Sequence, residues 1–467
     1  MRPGAGAALA APQRGSRELV RGALIAAGAV ALAAAVTRWA SPVLLVGAGL
    51  AAAVLALAVR FARRHGSLAA WIALLSLSIL AGELSAVSLG GQSGRLLWAD
   101  LVLGLGLAWA LLGNGFKVEV PRAPFLIAMI PLLAWSALSL LVSPDPLTGI
   151  AELKEWCVAL LAAAAAACFA TDSARARVLL GTIAVTGSLV ALHMTCVAFT
   201  SPLGPALAVL LKQVDLPWGR TNYLAGLLAI GFPVALGLLG HASRWRGRAL
   251  WLVVLALNAL GIVLSASKGA IVALVTALVV SFAPGSRAGR AGAAVTAAIL
   301  GIGVAIFEFG PLRQVLLYRL QASAVEYSVG ARMDLYSLAW ETFCRNPLLG
   351  IGLNNFSVIS HRLTGVDTVP HNFELGFLSE LGLPGALLAI LWAGTLGVTA
   401  WRARCAAGSS RERALGLGVW AAFVGFAIHN QFESTLYGEQ FKIVLMLLSA
   451  ATWRLSLAAS PPEPAAH

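Results

Sequence analysis

His371 comes directly after Pro370, is followed by Asn372, and opens a long apolar run. A helix that starts here leaves its first N–H groups without intrahelical partners, and their partial positive charge faces whatever binds. An imidazole at such a point can take a proton from a hydroxyl, and the same N–H groups suit a phosphate. Read alone, His371 is equally a polar residue at a membrane interface. Two cations share its setting. Arg220 stands in WGRTNYLAG, at the mouth of an apolar run that begins near Asn222. Lys268 stands in LSASKGAIVAL, in a turn so short that the lysine sits at or inside the interface. A charge at mid-membrane costs about 2.5–3.5 kcal/mol on insertion scales, and less near the interface. Few acidic residues in the neighbouring runs offer a partner. An anionic ligand is therefore one reading of both cations, and snorkelling to water is the other.

The scaffold that must position these residues is legible in the composition. The chain is 59% hydrophobic and only 11% charged. Many windows exceed the length of a membrane span, and no short alternating segments of a β-barrel are seen, so the class is all-α: a polytopic transmembrane helical bundle. The net charge of +13 invites a nucleic-acid reading. The basic residues, however, fall in short clusters between apolar runs, as membrane topology requires, and no nucleic-acid partner is expected. Apolar runs predict about 12 to 14 spans: 22–37, 42–60, 68–89, 96–112, 123–142, 156–171, 178–199, 222–240, 249–266, 269–283, 292–309, 373–400, 414–429 and 439–456. Residues 206–211 are too short to span and suit a re-entrant segment. The run after Arg21 resembles a signal peptide, but a second span follows at once, so an uncleaved first helix is expected.

Placing the N-terminus inside puts most of the 33 Lys and Arg residues in alternate, cytoplasmic intervals. Both termini are then cytoplasmic: a basic tail at 1–21 and a short tail at 457–467, flanking spans within 22–309 and 373–456. The interval 310–372 becomes an extracytoplasmic helical cap on the outer membrane face. Within it, helical spacing runs over 331–344, stopped by Asn346-Pro347, and a weaker pattern runs over 312–322. Arg332 begins the patterned segment and can turn inward, whereas Arg345 suits a helix C-terminus. Glu380 reads as a buried polar contact, either for the cap or for a basic partner. His193 and His429 lie in apolar runs and suit helix packing. The Gly-Ile-Gly of LLGIGLNN lacks the strand–turn–helix unit of a dinucleotide fingerprint. The five cysteines show no paired spacing, so neither disulfides nor a metal site is expected.

The segment RMDLYSLAWETFCRNPLLGIGLNNF, followed by HNFELGFLSELGLPGALLAILW, resembles the signature region of the O-antigen ligase/polymerase family of bacterial integral membrane glycosyltransferases. The matching features are Arg332, the run Asn346–Gly352, His371-Asn372, and the Glu380–Gly385 segment. Upstream, GRTNYLAG resembles the family's Arg-x-x-Asn helix start, here with one residue fewer between Arg220 and Asn222. SASKG resembles its Ser-x-Ser-Arg-Gly turn, with Lys268 where arginine is usual; lysine keeps the charge but loses the bidentate fork. The resemblance implies transfer of a glycan from an undecaprenyl-diphosphate-linked donor to a hydroxyl on lipid A core (ligase, hence lipopolysaccharide) or on a second lipid-linked glycan chain (polymerase). It implies no cofactor and no metal. His371 would be the catalytic base and Arg220, Lys268 and Arg332 the diphosphate ligands, with Asn222, Asn372 and Glu380 in support. The active site would face the periplasm from the bacterial inner membrane. The rival from another class is a membrane transporter. It would place charges along a midplane path in broken, repeated helices, whereas few mid-span charges and no internal repeat are seen.

Overall fold

A computed structural model of the chain describes residues 83–89, 92–113, 121–202, 221–281, 322–365, 367–406 and 408–457, with Trp71, Leu74, Leu75 and Ser78 of an earlier helix. The elements are a hairpin, β1 (Glu83–Leu89) and β2 (Gln92–Leu97), then α1 (Trp98–Gly113), α2 (Pro124–Ser139), α3 (Pro146–Phe169), α4 (Ser173–Thr200), α5 (Thr221–His241), α6 (Trp245–Ser265), α7 (Lys268–Ser281), α8 (Ala322–Arg345), α9 (Phe356–Thr364), α10 (Phe373–Cys405), α11 (Ser410–His429) and α12 (Glu439–Leu457). Among the described residues, five helical segments are long and apolar enough to cross a membrane: 124–142, α4, α5, α6 and α10. Apart from that hairpin the described residues are all-α, with the long apolar helices of a multi-pass membrane bundle.

The sequence reading needs two corrections. The second half of the expected span 68–89 is β1, paired antiparallel with β2. The sequence between the strands is Gly90-Gly91, a dipeptide type favoured between hairpin strands. The expected span 156–171 starts ten residues early, at Pro146. Asp145 caps that helix by accepting from the Leu147 and Thr148 N–H groups, so Pro144-Asp145-Pro146 is a helix start as well as a turn. The charges Glu152, Lys154 and Glu155 do not end the helix, because they are paired inside the bundle. The expected spans 22–37, 42–60 and 292–309, residues 206–211 and most of the 312–322 pattern lie outside the described residues.

α5 is apolar all round, so it is a helix that the other helices enclose. In its most apolar window 89% of residues are buried. It packs against α4, α6, α7 and α11, while α12 lies against α3, α4 and α10. Polar contacts pin neighbours within this core: Asn258 on α6 donates to the Ser188 hydroxyl at 2.8 Å and to the Ala184 carbonyl of α4 at 3.2 Å. A smaller apolar cluster of Ala339, Ile351 and Phe356, with Leu335, Leu338, Ile359 and Leu375 around it, holds α8 and α9 onto the start of α10.

Candidate active site

The site rests on a break in α10. Gly382 has φ 66° and ψ −172°, and Pro384 follows it. Proline has no N–H to give the carbonyl of Glu380, and the break strips neighbouring groups of their helical partners. The Asn346–Gly352 segment replaces those bonds. Ile351 N–H donates to the Ser379 carbonyl at 3.1 Å, Gly352 N–H to the Glu380 carbonyl at 2.9 Å, and Leu383 N–H to the Pro347 carbonyl at 2.8 Å. The Trp135 indole N–H from α2 takes the Leu381 carbonyl at 2.9 Å. Backbone groups freed by the break thus find partners outside the helix, as burial requires. The two backbones touch so closely that a Cβ on Gly350 (φ 66°) would lie 2.3 Å from the Glu380 carbonyl, and one on Gly382 2.3 Å from the Leu348 carbonyl oxygen. The two glycine-rich motifs are halves of one joint.

Glu380 belongs to the same joint. Its side chain is 2% exposed. Its carboxylate accepts from Asn354 N–H at 2.9 Å and Phe356 N–H at 3.2 Å, which fastens the start of α9. Of the two roles open to it, Glu380 takes the contact with the cap.

Above this joint, a second carboxylate collects the candidate residues. α11 ends at His429, and residues 430–438 turn back towards α12. In that turn the Glu433 side chain is 3% exposed. One oxygen accepts from Asn222 Nδ2 at 2.6 Å and from an Arg332 guanidinium nitrogen at 3.0 Å, and the other faces His371 Nδ1 at 3.1 Å. Asn222 comes from the first turn of α5, Arg332 from α8, and His371 from the residue pair before α10. His371 has φ 54°, a left-handed backbone that only a well-held residue keeps. It is held by its neighbours. Asn372 caps α10 by accepting from Leu375 N–H at 2.9 Å, and it donates to the Gln431 side chain at 3.2 Å. Phe373 N–H donates to the Asn430 carbonyl at 3.2 Å. The Tyr336 hydroxyl of α8 donates to the Gln431 carbonyl at 3.1 Å, and Gln431 Nε2 donates to Glu374 at 2.7 Å.

Burial pushes the Glu433 carboxyl up, but the hydrogen bond from His371, then the charges of His371, Arg332 and His429, outweigh it and hold it below its ordinary value. Glu433 is therefore an anion that only accepts. Nδ1 of His371 must carry a proton in that contact, which turns Nε2 away from Glu433. Burial raises the Tyr336 phenol, so it stays a hydrogen-bond donor.

The structure thus joins Asn222, Arg332 and His371 through Glu433, and sets Asn372 beside them as a helix cap. Lys268 is the first residue of α7 and exposed. A Cβ on its neighbour Gly269 would sit 3.1 Å from Phe432 Cβ, so the lysine borders the turn that carries Glu433. Arg220 lies outside the described residues. Arg345 is exposed and pairs with Glu341 one turn back. His429 is buried against the Thr435 hydroxyl at 3.0 Å, and His193 is exposed on α4. Sequence reasoning misses Glu433, Tyr336 and Gln431. The available signal is an acidic residue, Glu433, in the very short NQFEST interval between two apolar runs, where a scan for basic exceptions alone passes over it.

A second group of charges pairs near the starts of α3 and α12. Lys442 of α12 is fully buried between Glu152 at 2.5 Å and Glu155 at 2.7 Å, with the Trp156 ring 5.3 Å away. Lys154 bridges Asp100 at 3.1 Å and Glu439 at 2.8 Å. These pairs tie α1, α3 and α12 together.

Residues 251–390 match the family model described as O-antigen ligase. The match supports the O-antigen ligase family for this chain, and with it a role in surface polysaccharide ligation or polymerisation. It covers Lys268, Arg332, His371, Asn372 and Glu380, whereas Asn222 and Glu433 lie beyond its ends. No curated protein matches the chain.

Proposed function

We propose that this protein transfers a glycan from undecaprenyl diphosphate to an acceptor hydroxyl at the extracytoplasmic face of the bacterial inner membrane, with both termini cytoplasmic. One observation carries the reading: the buried Glu433 carboxylate meets His371 Nδ1 at 3.1 Å, beside the Arg332 cation; a neutral imidazole in that contact keeps Nε2 as its basic nitrogen.

His371 Nε2 takes the proton of the acceptor hydroxyl as its oxygen attacks the anomeric carbon. The bond from that carbon to the phosphate oxygen breaks, and its electron pair leaves on the diphosphate. Attack opposite the leaving group inverts the anomeric centre. The imidazolium formed on His371 faces the Glu433 anion, which stabilises it without taking the proton. Charge develops on the diphosphate, so cations are the main catalytic need there. In this reading Arg332, Lys268 and Arg220 form the anion site. Lipid A core as acceptor makes the protein a ligase, and a second lipid-linked glycan makes it a polymerase; the same base serves both.

The test uses purified protein in liposomes with lipid-linked glycan, alone or with lipid A core, and resolves products by size. Consumption of donor only when core is added gives a ligase, and longer carrier-linked chains without core give a polymerase. Normal transfer by His371→Ala would remove the proposed base. The rival reading is transport, to which the paired buried charges around Lys442 would also be open. A cysteine at Lys268 that is reached alternately from both sides of the membrane would favour transport.

A further inference from the structure

We propose that α8 lies in the outer leaflet of the bilayer, with one of its three faces among lipid chains. At about 100° per residue its side chains sort into sectors. Leu335, Ala339 and Thr342 form the sector that packs on the protein, where Ala339 and Thr342 are buried. Asp334, Glu341 and Arg345 form a second, exposed and charged. Val329, Met333 and Trp340 form a third; they are 52%, 55% and 54% exposed although all three are apolar. A helix with one face on protein, one apolar and bare, and one charged suits a boundary where protein, hydrocarbon and water meet.

The apolar sector does not end with α8. Leu348, just beyond its C-terminus, is 70% exposed. Its carbonyl lies against Gly382, and Leu383 N–H bonds the preceding Pro347 carbonyl. From there Leu383, Leu387, Ile390 and Leu391 run down α10 as an exposed apolar stripe. α10 is one of the helices long and apolar enough to span, so that stripe faces lipid. The bare face of α8 continues it. Bilayer hydrocarbon is therefore the occupant, in preference to a second copy or another protein. Arg332 and Tyr336 sit between the protein sector and the lipid sector. This places the Arg332–Glu433–His371 group at headgroup depth, open sideways to an anion carried on a lipid. The inference concerns immersion alone and stands whether or not the chain transfers glycans.

Site-directed spin labelling tests it in the full chain, reconstituted in phosphatidylethanolamine and phosphatidylglycerol liposomes. With Cys157, Cys168, Cys196, Cys344 and Cys405 replaced, a nitroxide is placed at Met333→Cys, Trp340→Cys, Asp334→Cys or Glu341→Cys. Collisions with oxygen, which partitions into lipid, are compared with those of a water-soluble nickel chelate. The labels at positions 333 and 340 are expected to favour oxygen severalfold over those at 334 and 341. Equal access of the nickel chelate to all four would put the face in water, and shielding of 333 and 340 from both reagents would put it under protein; either result overturns the proposal. All four positions are exposed, so labelling leaves the packed core intact. Should Trp340→Cys fail to fold, the native Cys344 at the edge of the same sector, labelled with the other four replaced, reads the same face.

Discussion

Glu433→Gln isolates the contact on which the proposed chemistry depends. The amide keeps the size of the side chain and one acceptor oxygen for Asn222 and Arg332, which the native carboxylate meets at 2.6 and 3.0 Å. It turns an NH2 group towards His371 Nδ1, which the carboxylate meets at 3.1 Å. Two donors cannot share that contact, so the imidazole must move its proton to Nε2. The basic nitrogen then points at the new amide and away from any acceptor. General-base catalysis contributes roughly 10²–10⁴-fold, so the rate of transfer should fall by that factor, or about 3–5 kcal/mol of barrier. Donor KM should change little, because the cations remain. The assay is the liposome reaction read as kcat and KM for wild type, Glu433→Gln, His371→Ala and the double variant. Residues that act as one unit are non-additive, so the double variant should be no slower than His371→Ala. A folded Glu433→Gln within about threefold of wild type, well below the loss expected of a general base, would refute the orienting role. A double variant whose loss is the product of the single losses would refute the dyad.

Four further outcomes follow from the same geometry. The folded Glu433 carboxyl is held below its ordinary value of 4.5, so it contributes stability that is complete above that value and is lost as pH falls through the lower folded one; acid unfolding in detergent should therefore be steeper for wild type than for Glu433→Gln. Gly382→Ala puts a methyl group against backbone at a φ of 66° and should cost on the order of 1–3 kcal/mol or more, seen as a lower Tm with loss of activity. Trp135→Phe removes the indole N–H from the Leu381 carbonyl and should cost roughly 1–3 kcal/mol in Tm measurements. Lys442→Met leaves the buried Glu152 and the half-buried Glu155 without their cation and should cost about 3–5 kcal/mol, whereas adding Glu152→Gln and Glu155→Gln should recover most of the loss in yield and Tm.

What the sequence makes legible, and what it hides, divides along a physical line. Spans and caps are local, so α5, α6, α7 and the Asn346-Pro347 stop to α8 can be read from composition and punctuation. The break in α10 is present as Gly382 and Pro384, but its meaning is not. It depends on the Asn346–Gly352 segment supplying the missing hydrogen bonds from a distant stretch of chain, and no periodicity records such an exchange. Charges follow the same rule. Arg220, Lys268 and His371 stand out because each is costly where it lies. Glu433 is equally costly but sits in a turn of polar residues, where an acidic side chain attracts no attention until its three partners arrive from α5, α8 and the start of α10. Lys442 hides in another way: it stands at the edge of an apolar run, in the first turn of α12, where a lysine is unremarkable, and only the fold brings Glu152 and Glu155 to it. In both cases one carrier of charge is visible in sequence and its counter-charge is distant. A search of outer loops for acidic residues able to neutralise the unexplained cations would find Glu433, because a buried cation near an interface requires a counter-charge as surely as it suggests a ligand.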